Sequence, residues 1–128
     1  MIQRFIELGE GYSDLYELLE IARNQSHRVH HLMILNTEKE GRKLSSFLVI
    51  LEPTSVGSFQ PLYICREGIA VTDQKSKRLL LFEALAEDLG KTIITLDVKP
   101  STFFGEKELY FQHLIGILRM NRYIPPLS

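Results

Sequence analysis

Residues 91–126 read KTIITLDVKPSTFFGEKELYFQHLIGILRMNRYIPP. The first part alternates as a strand does. Ile94, Leu96 and Val98 point to one face, and Ile93, Thr95 and Asp97 to the other. Pro100 has no N–H to give a ladder and ends the strand. Ser101 or Thr102 is placed to cap a following helix, which the pattern predicts over about 106–121. On that helix Glu108, Gln112 and Arg119 share a narrow polar face with Gly116. Leu109, Phe111, Leu114, Ile115, Ile117 and Leu118 cover most of the remainder. An apolar arc so wide predicts contact on two sides, the second supplied by another copy through Tyr110, Ile117 or Tyr123. Arg119 and Arg122 suit the dipole at the helix end, and Pro125 and Pro126 block continuation.

Working back toward the N-terminus, 76–90 (SKRLLLFEALAEDLG) carries a second helical period. Leu81, Phe82, Leu85 and Leu89 lie on one side, and Gly90 is placed to end it. Residues 62–66 read as a strand between loops at 53–61 and 68–76. Before them, 29–36 and 44–51 are strands joined across TEKEGRK, where Gly41 can supply positive φ. Leu32–Leu35 and Phe47–Leu51 are apolar on consecutive residues, so both faces are covered and the two strands are central. SDLYELLEIARNQ (13–25) keeps the spacing of a helix through Leu15, Leu18, Leu19 and Ala22, and Asp14 with Glu17 suits a capping box. Residues 2–8 read as a short first strand. The expected order is β-α-β-β-β-α-β-α: an α/β (α+β) chain with a mixed, largely antiparallel sheet and helices packed on it. Without repeat or linker, residues 1–128 form one domain.

The chain has 128 residues and a net charge of −1. That charge calls for no nucleic-acid partner and no basic partner. One cysteine, Cys65, excludes an internal disulfide and a Cys-rich zinc site. It fits a reducing cytoplasm, and its apolar strand suits a buried structural thiol. The N-terminus has no signal-peptide core, and no run is long enough for a membrane span.

Few constellations suggest chemistry. His27, His30 and His31 cluster where a loop enters a strand; His27 and His31 would share a face with His30 pointing away. A metal site needs three converging ligands, which this spacing does not provide. His113 stands alone on its helix. No G-x-S-x-G elbow, P-loop or G-x-G-x-x-G is present, so no catalytic set is assembled and no cofactor is expected. Asp97-x-Lys99 at a strand end resembles the metal-dependent nuclease signature, whose α-β-β-β-α-β core order this chain contains. In that family the pair stands on the third strand of the meander, here LYICREG, and Glu52 would have to be the second carboxylate. A surface ion pair is the favoured reading. Lys75, Lys77 and Arg78 open a helix whose dipole disfavours cations, and with its free N–H groups they form a candidate anion-binding cluster.

The element order resembles the core of the GCN5-related N-acetyltransferases. In that family the helix after the fourth strand receives the pyrophosphate of acetyl-CoA, which implies that role for the stretch from Arg66 to Arg78. Arg66-Glu67-Gly68-Ile69-Ala70 falls one residue short of the family's glycine loop. The tail from Leu96 to Pro126 resembles small uncharacterised cytoplasmic proteins of Gram-positive bacteria. The reading favoured from the sequence is a small cytoplasmic, non-catalytic homodimer acting through a protein or small-ligand interaction. An acyl-CoA-dependent N-acyltransferase-like protein and a divalent-metal-dependent nuclease-like protein are the alternatives.

Overall fold

The computed structural model describes residues 2–9, 11–70 and 74–125. In chain order the elements are β1 (Gln3–Leu8), α1 (Tyr12–Asn24), β2 (Val29–Lys39), β3 (Arg42–Leu51), β4 (Gln60–Ala70), α2 (Lys77–Leu89), β5 (Ile94–Asp97) and α3 (Lys107–Met120). The order is the expected one. Five strands form one mixed sheet in the order β1-β4-β3-β2-β5. β2, β3 and β4 are an antiparallel meander; β1 joins β4, and β5 joins β2, in parallel.

The consecutive apolar residues of β3 explain its central place. Phe47, Val49 and Leu51 face a cluster with Leu15, Leu18 and Leu19 of α1 and Phe82 and Leu85 of α2. Leu48 and Ile50 face the opposite cluster, with Tyr110, Leu114 and Leu118 of α3. A sheet covered on both faces tolerates no alternation of polar and apolar residues, so the strand reads as an unbroken apolar run. The β2–β3 hairpin turns on Glu40 and Gly41, both at positive φ (53° and 75°). Such a two-residue turn matches the twist of the flanking strands, and it lets the ladder run on to Lys39 and Arg42, beyond the expected ends.

Helix boundaries depart from the sequence reading in two places. α1 is capped at Gly11, whose N–H donates to Asp14 Oδ2 at 3.0 Å. Asp14 is therefore the third helical residue reaching back, not the cap. Ser101 and Thr102 do not cap α3. They form a separate 3-10 turn, Ser101–Phe103, and α3 starts after Glu106 with no side-chain cap. Ser101 is buried, and the turn extends the connection from the sheet to α3. By contrast α2 begins as expected, with Ser76 Oγ accepting from Leu79 N–H, and ends at Gly90 with φ 66°. β4 continues through Ala70, so Gly68 lies in a strand and not in the expected loop. The centre of that loop, 71–73, and Pro126 lie outside the described residues.

Candidate functional site

The start of α2 brings Lys75, Lys77 and Arg78 together only in part. Lys75 Nζ lies 3.0 Å from Glu83 Oε2 across the first turns of the helix. The Ser76 hydroxyl takes one of the N–H groups that an anion would use. Lys77 is exposed and Arg78 half-buried. Of the stretch expected to receive a phosphate, residues 66–70 belong to β4: Ile69 and Ala70 pair with Ser45 and Leu44, beyond a register shift between Ser45 and Phe47.

The histidines do not share a face as an extended strand would have them. His27 lies in a 3-10 turn, Ser26–Arg28, and the β2–β3 register shifts between Val29 and His31. That irregularity brings the rings of His30 and His31 to 4.2 Å. His30 Nδ1 lies 2.8 Å from Glu52 Oε1, and His31 meets Tyr123 edge-on at 5.4 Å. Burial holds His31 below the usual imidazole range, helped by His30 and Lys91 and opposed by Glu52. Among the described residues no three His, Cys, Asp or Glu side chains converge to hold a metal.

Asp97 and Glu52 lie at opposite ends of β2. Asp97 pairs in register with Asn36, whereas Glu52 N–H donates to Arg28 C=O. They cannot share an ion. Nor do Asp97 and Lys99 form the expected ion pair: Lys99 Nζ lies 4.3 Å from the centroid of the Phe103 ring. The Lys99 N–H donates to His113 Nε2 at 3.3 Å. Burial, then Lys99, lowers the His113 pKa, which keeps that nitrogen an acceptor. Cys65 is buried, and burial pushes its thiol up to about 12. A thiol so held is a poor nucleophile, in line with the structural role expected of it.

The feature that the sequence reading missed is the edge of the sheet at β1. On its α3 side, Arg119 donates to Gln3 Oε1 at 2.7 Å, and Gln3 Nε2 donates to Gln60 Oε1 at 3.2 Å. Both glutamines are buried. Arg119 belongs to the narrow polar face expected of α3, and that face overhangs β1. The signal was an amide at the start of each of the two strands, Gln3 and Gln60. Further along, Glu7 Oε2 lies 3.3 Å from Arg66 Nη1, and Phe5 stacks on Phe111 at 4.5 Å. A groove of about 620 Å³ runs here, walled by Gln3, Phe5 and Glu7 on one side and by Phe111, Gln112 and Ile115 on the other.

The other side of the same edge has a groove of about 940 Å³ between β1 and the 53–59 loop. Ile2, Val56 and Phe59 line it, all exposed, and the Arg4 guanidinium lies 5.1 Å from the centroid of the Phe59 ring. β1 ends the sheet. Ile2 C=O accepts from Gln60 N–H, and successive residues of a strand direct their polar groups to alternate sides. Arg4, Ile6 and Leu8 therefore turn toward β4, while Gln3, Phe5 and Glu7 turn outward. Among the described residues no strand takes those outward groups.

Residues 1–124 match the family described as a domain of unknown function (DUF7147), and the chain belongs to that family. No curated protein and no solved structure matches it.

Proposed function

We propose that the protein acts by binding another polypeptide along the outer edge of β1, with no chemistry of its own. One observation carries the reading: a strand edge on which, among the described residues, no strand takes the N–H and C=O groups of Gln3, Phe5 and Glu7, flanked by a groove on each face. An extended segment laid there gains main-chain hydrogen bonds from the edge. Its alternate side chains enter the two grooves, Ile2 and Phe59 on one face and Phe111 and Ile115 on the other. The enzymatic alternatives have weaker support. An anion at Lys75, Lys77 and Arg78 has to displace Glu83, and at Asp97 no three metal-ligating side chains converge among the described residues.

Amide hydrogen exchange against a library of short extended peptides tests the reading. The Phe5 and Glu7 amides exchange fast in the lone chain and slow on binding, while the inward amides of Arg4 and Ile6 change little. Ile2→Lys and Phe59→Lys each weaken binding. Protection confined to another element, or peptide binding indifferent to these substitutions, overturns it.

A further inference from the structure

We infer that the segment which pairs with this edge is β1 of a second copy, antiparallel across a two-fold axis at Phe5. The inference rests on reading β1 as a binding edge and names its occupant. Soluble proteins guard an exposed edge with charged side chains, proline or a bulge. The β1–β4 register is unbroken and β1 contains no proline. Its two charged residues, Arg4 and Glu7, are exposed, yet both engage their own chain, Arg4 over Phe59 and Glu7 against Arg66. The opposite edge, β5, is four residues long, exposes Thr95 and Asp97, and is soon followed by Pro100. Among the described residues, β1 is the edge left open to pairing.

The pattern of outward groups limits the register. A two-fold axis normal to the sheet keeps each face on its own side, so the axis must pass through a residue of the strand. Centred on Arg4, the guanidinium opposes its own copy, which is unfavourable. Centred on Ile6, the pairing loses Ile2 and Gln3. Centred on Phe5, Gln3 meets the partner's Glu7, and each outward residue exchanges its N–H and C=O with a partner residue. The Gln3 amide has a second N–H to offer that carboxylate. Phe5 meets the partner's Phe5 as a cross-strand aromatic pair.

On the other face Ile2, 64% exposed, meets the partner's half-buried Leu8. Ile6, half-buried and part of neither core cluster, lies against the methylenes of the partner's Arg4. The two five-stranded sheets become one continuous sheet.

A cysteine cross-link tests the register. Arg4 and Ile6 oppose each other across the axis as a pair whose polar groups turn away, where Cα atoms approach to about 4.5 Å, within disulfide reach. Under mild oxidation the Arg4→Cys/Ile6→Cys variant runs mostly at twice the 14.8 kDa chain mass. Neither single variant does so, and Cys65, being buried, contributes no link. Circular dichroism confirms that the variants fold. Light scattering shows the wild type as a dimer at about 100 µM, well above the dissociation constant of a specific interface. A wild-type monomer at that concentration overturns the second copy as occupant. If a peptide then still protects the Phe5 and Glu7 amides, the edge reading survives it; if none does, both fall. A dimer that resists the cross-link and is lost on Leu109→Glu/Met120→Glu places the interface on the outward face of α3 and likewise overturns the proposal.

Discussion

At the scale of residues, burial sets the ionisation that the side chains bring to the fold. His31 and His113 both lie below the usual imidazole range in the folded chain, first because of burial and then because of neighbouring cations or histidine. The unfolded chain takes up these protons near pH 6.5, before the folded chain does. The unfolded state thus binds more protons just below that pH, and stability must fall as the solution is acidified. The contribution is fully present above about pH 6.5 and drains away toward the lower folded values. Melting temperature measured from neutral pH downward therefore declines in the wild type before the carboxylates titrate. The decline flattens in a His31→Asn/His113→Gln variant. An unchanged slope in that variant assigns the effect to other groups.

At the scale of elements, α3 shows how a broad apolar arc is used. Tyr110, Leu114 and Leu118 are each about 1% exposed against the sheet, so Tyr110 is covered by its own chain and cannot be the dimer contact expected of it. Tyr123 likewise packs within its own chain, against His31 and the α3-side core. Leu114→Ala or Leu118→Ala leaves a cavity between helix and sheet and costs ~2–5 kcal/mol. Asp97→Ala at the exposed end of β5 costs within about 0.5 kcal/mol. Urea unfolding of the three variants gives the comparison directly, and a loss at Asp97 equal to that at Leu114 contradicts the packing described. The helix period, the hairpin and the central place of β2 and β3 were legible because each is written in local spacing. The start of α3 was not legible: Ser101 and Thr102 have cap chemistry, but their place is set by a separate turn packed under the helix.

At the scale of the molecule, β5 lies beside β2, with β3 and β2 between it and β4, the strand that leads toward α2. With β4 paired as far as Ala70 and Lys75 held by Glu83, the start of α2 is a capped helix end with Lys77 exposed on the surface. Millimolar CoA, about the weak limit of specific binding, is expected to leave the melting temperature unchanged. A ligand that binds only the folded state must raise it. A rise abolished by Lys75→Gln/Lys77→Gln would therefore restore the acyl-CoA reading.

The sequence by itself determined the element order, the α/β class and the burial of β3 on both faces. Each follows from hydrophobic period and turn chemistry, which act between near neighbours in the chain. Strand order was beyond it. Whether β1 joins β4 or another strand, and which edge stays open, depends on contacts between residues far apart in sequence, such as Gln3 with Gln60 and Arg119. The polar face of α3 was legible as polar, but its place over β1 was not, because a helical period gives the spacing of a face and not what stands opposite it. Tertiary structure alone put that face over β1. Among the described residues, that packing leaves the main-chain groups of Gln3, Phe5 and Glu7 without a partner strand.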